Sequence, residues 1–385
     1  MNNFTFYNPV KIIFGENTIP AISKEIPQDA KVLMTYGGGS IKKNGIYDQV
    51  KKALINHSVT EFGGIEPNPQ YSTLMNAVEI CRSEGIGFIL AVGGGSVLDG
   101  SKFIAAATHF DGEPWDILSR QAPIAKAVPL GSVLTLPATG SEMNGFAVIS
   151  RKEIQKKLAF GSPLCYPRFS VLDPAVTKSL STRQRANGIV DAFVHVTEQY
   201  MTYPVNSPIQ DYFAESVLKV LIEEGPKYFA YNDDMDAARN IMWAATMALN
   251  GIISAGVPVD WATHSIGHEI TVLYNTDHAR TLAIVWPGMM KVMAFTKKEK
   301  LVQFAERVWG IAEGTDSEKT DKAIAKTEMF FKKLGMPTKF CDFQAEESVV
   351  EKVINNLKDN GFTALGEKKL VTLEKVKEIL EQRVS

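Results

Sequence analysis

Residues 87–107, GFILAVGGGSVLDGSKFIAAA, constrain the fold more than any other stretch. A short apolar run stops at consecutive glycines, and a segment with helical apolar spacing follows at once. That order reads as strand, glycine turn, helix. KVLMTYGGGS (31–40) repeats the strand that ends in glycines, and SVLTLPATGSE (132–142) ends instead in a hydroxyl-rich loop. FSVLDP (169–174) is a last short strand. Residues 4–14, rich in Phe, Tyr and Ile, alternate weakly and also read as strand. Between strands, residues 72–84 read as a helix with Ser72 as N-cap and Gly85 just past the end. Strands alternating with helices predict a parallel sheet, which binds ligands beyond the carboxyl ends of its strands.

After about residue 177 the pattern changes and helical spacing dominates. STRQRANGIVDAFVHVTEQYMT opens with Ser181 and Gln184 at capping-box spacing. DAARNIMWAATMALNGIISAG (236–256) reads as one long apolar helix, and three further amphipathic segments follow toward the end. The expected organisation is an α/β N-terminal domain over 1–177, Rossmann-like, and an all-α C-terminal domain over 178–385.

Composition narrows the function classes. Charged residues are 22% of the 385, and the net charge of −2 argues against binding nucleic acid through bulk positive charge. The cysteines are Cys81, Cys165 and Cys341, an odd and sparse set that forms no disulfide framework and fits a reducing cytosol. The first residues lack the basic-then-apolar order of a signal peptide, and no apolar run reaches the roughly 18 residues of a membrane span. The expectation is a soluble, cytoplasmic enzyme-sized protein.

Gly94, Gly95 and Ser96 stand between a strand and a helix. Glycines there let the backbone approach a phosphate, and the helix start presents free N–H groups to an anion; a simple tight turn remains the alternative. The spacing is not GxGxxG, because Leu98 holds the sixth position. Gly37, Gly38, Gly39 and Ser40 follow the earlier strand. No acid lies within residues 36–45, where an NAD site often has one for the ribose 2′-hydroxyl, while Lys42 and Lys43 are near. Gly39 offers no side chain to collide with a 2′-phosphate, Ser40 can donate to it and Lys43 adds charge. The expectation is a preference for NADP(H), with NAD possible, and a shift toward NAD on placing Asp at position 39. A solvated lysine pair reads equally well from spacing alone.

Four of the six histidines lie in the helical half. Asp191 and His195 are four apart in IVDAFVHV, hence on one helix face. For these two alone an ion pair or a satisfied core histidine is the simpler reading. His264 and His268 repeat the spacing in WATHSIGHEI, but Glu269 follows the second histidine, so this is not HExxH. His278 lies fourteen residues beyond His264, about 21 Å along a continuous helix at 1.5 Å per residue. If both bind one metal, the chain must turn between them, and residues 274–277 (YNTD) form a credible turn. One Asp and three His would suit a divalent iron or zinc.

The order and spacing of GIEPNP (64–69), GGGSVLD (93–99), TLPATGSE (135–142), VLDP (171–174), NGIVDAFVHVTEQY (187–200), WATHSIGHE (261–269) and DHARTLAIVWP (277–287) are specific together. By them the chain resembles the iron-containing (group III) alcohol dehydrogenases along essentially its whole length, above all bacterial butanol dehydrogenases and NADPH-dependent aldehyde reductases. The resemblance implies a dehydroquinate synthase-like architecture and metal ligands Asp191, His195, His264 and His278. It places Gly94, Gly95, Ser96 and Asp99 along the cofactor diphosphate and nicotinamide ribose. Thr135, Thr139 and Ser141 would flank the nucleotide, and Lys157 would contact its ribose. His268 would lie near the metal as a proton relay. It further implies a homodimer acting on a small alcohol or aldehyde. The family often has HGxxN at its last histidine, where this chain reads His278-Ala279-Arg280-Thr281-Leu282.

Two other readings compete. Glycerol dehydrogenases and dehydroquinate synthases share the architecture, but the apolar IVDAFVHV and TLAIVWP segments favour small alcohols and aldehydes over a phosphorylated acid. A non-catalytic nucleotide sensor would not need the four-ligand set.

Overall fold

The structure, a computed structural model, describes residues 1–343 and 348–385. It divides into two compact units, Tyr7–Ser181 with Asn232–Thr246, and Met1–Phe6 with Thr182–Tyr231 and Met247–Ser385.

The first unit is built on β1 (Lys11–Phe14), β2 (Val32–Tyr36), β3 (Val59–Phe62), β4 (Phe88–Gly94), β5 (Leu130–Leu136) and a later strand, β8 (Phe169–Leu172). They form one sheet in the order β1-β8-β5-β4-β2-β3, with every pairing parallel. Alternate residues go to opposite faces. Leu33, Ile89, Ala91 and Leu134 pack on the side of α1 (Tyr71–Glu84) and α2 (Gly95–Thr108). Val32, Met34, Leu90, Val92 and Val133 pack on the other side, with Ile46 and Val50. Both faces are covered, so β2 is buried at every position and its sequence shows no polar alternation.

Chain order reverses at β2, which lies between β3 and β4. That reversal is a switch point, where open α/β sheets bind ligands at the strand ends. An antiparallel hairpin, β6 (Phe146–Arg151) with β7 (Lys156–Gly161), also belongs to this unit and has no counterpart in the sequence reading.

The second unit is helical: α3 (Thr182–Tyr200), α4 (Pro208–Ala230), α6 (Ala262–Tyr274), α7 (His278–Val292) and helices toward the C-terminus; α5 (Met235–Ala248), between α4 and α6 in the chain, belongs mostly to the first unit. Phe193 sits at its core, with ring centres 6.2 Å from Trp286, 6.4 Å from Phe304 and 5.4 Å from Phe331. Trp286 Nε1 donates to Thr197 Oγ1 at 2.9 Å, so the one polar atom of this buried indole is satisfied. Among the described residues no helix is long and apolar enough to cross a membrane.

Three sequence expectations need correction. Only Lys11–Phe14 of residues 4–14 is strand, because only they pair with β8. The helix expected over 236–256 stops at Ala248; Gly251 at φ +93° and Gly256 at φ +72° turn the backbone out of helical geometry. The helix expected to start after Ser72 starts at Tyr71, with Gln70 extended as its cap and bridged to Ser150.

Candidate active site

Asp191, His195 and Glu198 occupy one face of α3, at i, i+4 and i+7, and are 5%, 6% and 1% exposed. His264 lies in the first turn of α6. That helix ends at Tyr274, Asn275 takes φ +46°, and His278 opens α7. The turn folds His278 back, with its ring centre 5.2 Å from that of His264.

One ligand atom each from Asp191, His195 and His264 lies within 4.8 Å of the others. The rings of His195 and His264 stack with centres 4.5 Å apart. His278 stands at the margin of this trio, beside His268, whose ring centre is 4.6 Å away. His268 is half-buried and its ring centre is 6.2 Å from that of His264.

These residues fit a divalent cation. Asp191 Oδ1 is buried without a hydrogen-bond partner among the described residues, a costly state that a cation relieves. A carboxylate with imidazoles is a donor set for iron or zinc. Bonds of about 2.1 Å space tetrahedral donors about 3.4 Å apart, a modest closure from the separations seen.

Glu198 is the residue the sequence reading missed. Its carboxylate accepts from His264 Nδ1, from the Thr263 N–H at 2.6 Å and from the His264 N–H. It thereby caps the start of α6 and leaves His264 Nε2 as the nitrogen for a metal. Burial, reinforced by Asp260, pushes its carboxyl up to about 8. The signal was available: Glu198 lies three residues after His195 on the same buried face.

The glycines and threonines expected at the cofactor gather at the carboxyl ends of β2, β4 and β5. Tyr36 pairs with Val92, so Gly37 and Gly93 are neighbours, and Gly94 pairs with Leu136. The glycines at the end of β4 are not a turn; the strand runs directly into α2. A Cβ on Gly95 would stand 2.5 Å from Thr139 Cγ2, and one on Gly93 2.5 Å from Val97 Cγ2. Here glycine lets the helix start press against the β5 loop.

Asp99 accepts from Ser141 Oγ at 2.7 Å and from the Val148 N–H at 2.9 Å. Ser141 is 2% exposed, and its hydroxyl also accepts from Lys102 Nζ at 2.7 Å, so it braces Asp99 from behind. Lys102, a second residue the sequence reading passed over, is fully buried. It donates also to Asn144 Oδ1 at 3.1 Å and the Phe146 carbonyl at 2.8 Å, and burial pushes its ammonium down to about 8.

Thr135 and Thr139 are half-buried at the β5 end, where Thr139 Oγ1 accepts from the Ser141 N–H at 3.2 Å. Lys157 donates to Asn68 Oδ1 at 2.9 Å, which ties the β6–β7 hairpin to the GIEPNP loop. Gly38, Ser40 and Lys43 are exposed beyond β2, and Gly39 takes φ +91°. Lys42 lies over the rings of Tyr36 and Tyr47, 5.0 and 4.9 Å from their centres.

A parallel sheet with a glycine-lined switch point, and a helical unit with a buried Asp–His cluster, define a metal-dependent oxidoreductase of the alcohol dehydrogenase class. The chain belongs to the iron-containing alcohol dehydrogenase family: the description "Iron-containing alcohol dehydrogenase" matches residues 9–174, and the C-terminal description of the same family matches 185–384. It is 53% identical over 384 residues to the NADPH-dependent aldehyde reductase YqhD of Escherichia coli, covering 99% of each chain. It is 40% identical to a probable NADH-dependent butanol dehydrogenase 1 of Bacillus subtilis, again over 99% of each. The crystal structure of E. coli YqhD superposes with a TM-score of 0.98 at 52% identity over 99% of both chains. That of NADH-dependent butanol dehydrogenase A from Thermotoga maritima gives 0.96 at 36% identity, over 100% of this chain and 99% of that one.

Proposed function

We propose that this chain interconverts small aldehydes and primary alcohols with NADP(H), using one divalent ion, Fe2+ or Zn2+, held by Asp191, His195, His264 and His278. The observation that carries the metal assignment is the buried Asp191 carboxylate beside two stacked imidazoles, one of its oxygens lacking a donor among the described residues. When bound, the ion supplies Lewis-acid polarisation of the substrate oxygen and the nicotinamide supplies or takes the hydride.

The chain's own residues hold these parts. Glu198 fixes the His264 tautomer. The fourteen-residue helix that starts at Gly95 offers its N-terminus to the diphosphate. Asp99, braced by Ser141 and Val148, keeps lone pairs free to accept ribose hydroxyls. Lys157, Thr135 and Thr139 flank the nucleotide. His268 exchanges the proton that must reach the carbonyl oxygen as hydride reaches the carbon, so that aldehyde, NADPH and a proton give alcohol and NADP+.

The names of the relatives divide between NADPH and NADH. The loop after β2 favours NADPH: no carboxylate lies within residues 36–45, and exposed Ser40 and Lys43 suit a 2′-phosphate. A homodimer and a cytoplasmic site of action complete the reading; the three free cysteines support the latter.

The test is metal analysis of anaerobically purified protein, paired with butanal turnover on NADPH and NADH before and after chelation. Turnover and NADPH preference that track metal content support the reading. Full turnover after complete metal removal refutes the metal role, and a preference for NADH refutes the cofactor choice.

A further inference from the structure

Trp261 stands at the N-cap of α6, three residues before His264, with φ +59° and ψ +13°. A bulky aromatic in the left-handed region is a genuine outlier, and tryptophan is a poor N-cap. Its side chain makes no capping hydrogen bond. The capping is done by neighbours: Asp260 Oδ1 accepts the Ala262 N–H at 2.9 Å, and Glu198 accepts those of Thr263 and His264. Local preference therefore gives no reason for a tryptophan here.

The backbone is held in this state from below. The Asp260 N–H donates to the Glu198 carbonyl at 2.9 Å, and Asp260 Oδ2 accepts from Lys297 Nζ at 2.7 Å, with side chains only 4% and 3% exposed. Lys297 also donates to the Met201 carbonyl at 2.6 Å, so the anchor is buried and fully engaged. Strain that persists because the surroundings over-determine it clusters at functional sites. The strain here sets the indole edge-on against two of the histidines, with ring centres 5.3 Å from His264 and 6.2 Å from His195, while the residue stays half-buried.

We propose that Trp261 is a specificity-determining residue, its indole forming the apolar wall along which the alkyl chain of the aldehyde packs beside His195 and His264. The inference rests on the metal-dependent reductase reading above. An aldehyde whose oxygen is held among these histidines would lay its carbon substituent beside the indole, whose ring centre is 5.3 Å from that of His264 and 6.2 Å from that of His195. A rigid aromatic wall admits an unbranched chain and resists branching close to the carbonyl.

The test compares wild type, Trp261→Gly and Trp261→Phe. Glycine removes the ring and also relieves the backbone strain, and phenylalanine keeps a smaller wall should glycine loosen the helix start. The readouts are metal per chain, the thermal midpoint, and kcat/KM for butanal against 2-ethylbutanal. For Trp261→Gly the ratio should move toward the branched aldehyde by about tenfold or more, and for Trp261→Phe by less in the same direction, with metal content unchanged. A ratio within about twofold of wild type in metal-loaded variants overturns the proposal. Loss of metal from Trp261→Gly overturns it too, since the ring would then be a brace for the histidines. A metal-loaded wild type inactive on both aldehydes would sink the reductase reading itself, whereas an active wild type with an unmoved ratio sinks only the role of Trp261.

Discussion

Replacing Glu198 by Gln isolates the contribution of one carboxylate to metal binding. In the native site both oxygens face donors: the Thr263 N–H at 2.6 Å, the His264 N–H, and His264 Nδ1. Gln is nearly isosteric but has one acceptor oxygen and one NH2. If the amide oxygen stays with the backbone N–H groups, the NH2 faces Nδ1. The ring then turns Nδ1 into an acceptor and carries its proton on Nε2, the nitrogen needed by the metal. If the amide flips, the backbone donors at the start of α6 lose their partner in a site only 1% exposed. Either way a buried donor or acceptor behind His264 loses its partner, which costs roughly 1–3 kcal/mol, and loss of such a partner behind a metal-binding histidine commonly costs about 10–100-fold in metal affinity. Competition with a chromophoric chelator measures Kd for Zn2+ and Co2+ directly. A Kd within about twofold of wild type, with or without a lowered thermal midpoint, would show that Glu198 caps the helix and does nothing for the metal.

Further outcomes follow from the same geometry. Gly38→Asp, at a position with open space and no positive φ, should shift the NADPH/NADH ratio of kcat/KM toward NADH by about 1–3 kcal/mol; an unmoved ratio refutes the loop assignment. Gly39→Asp should instead impair both cofactors, because φ +91° strains any side chain, and steady-state kinetics with each cofactor separates the two cases. His264→Ala should lose metal and turnover together. His268→Ala should keep metal by elemental analysis and lose turnover, and loss of its metal would make it a ligand. Glu328 accepts from Arg383 Nη2 at 2.8 Å; burial opposes ionisation, but Arg383 and its other donors hold the carboxyl down at about 2, so its stabilisation is complete above the ordinary carboxyl range near 4.5 and drains away as pH falls toward 2. Glu328→Gln should therefore unfold more readily at pH 7 and lose less than wild type between pH 5 and 2 in thermal melts; equal acid sensitivity refutes the pairing.

Periodicity made the parallel sheet and the helical half legible, because β2, β4 and β5 are buried on both faces and read as continuous apolar runs. It failed where pairing, not propensity, decides. Residues 4–10 have strand composition but pair with no strand among the described residues, whereas the β6–β7 hairpin pairs through a segment as polar as Lys156-Lys157. Residues 249–256 continue the apolar composition of α5 but carry glycines with positive φ.

The candidate site was legible in the same partial way. Asp191 and His195 share a helix face by spacing, and a metal shared by His264 and His278 would require a turn between them, which the chain makes at Asn275. Glu198 and Lys102 were harder to see because neither matches a motif; each is a charged residue on an apolar face whose partners arrive from distant sequence. Glu198 meets a helix start 65 residues away, and Lys102 meets a loop about 40 away. Burial without a partner is what makes such residues costly, so a lone charge on an apolar face is itself a sequence signal that a polar partner comes from elsewhere in the fold. Trp261 carries no comparable signal. Its significance lies in a backbone angle, set beside an anchor of Asp260, Lys297 and Glu198 that only the folded chain brings to one place.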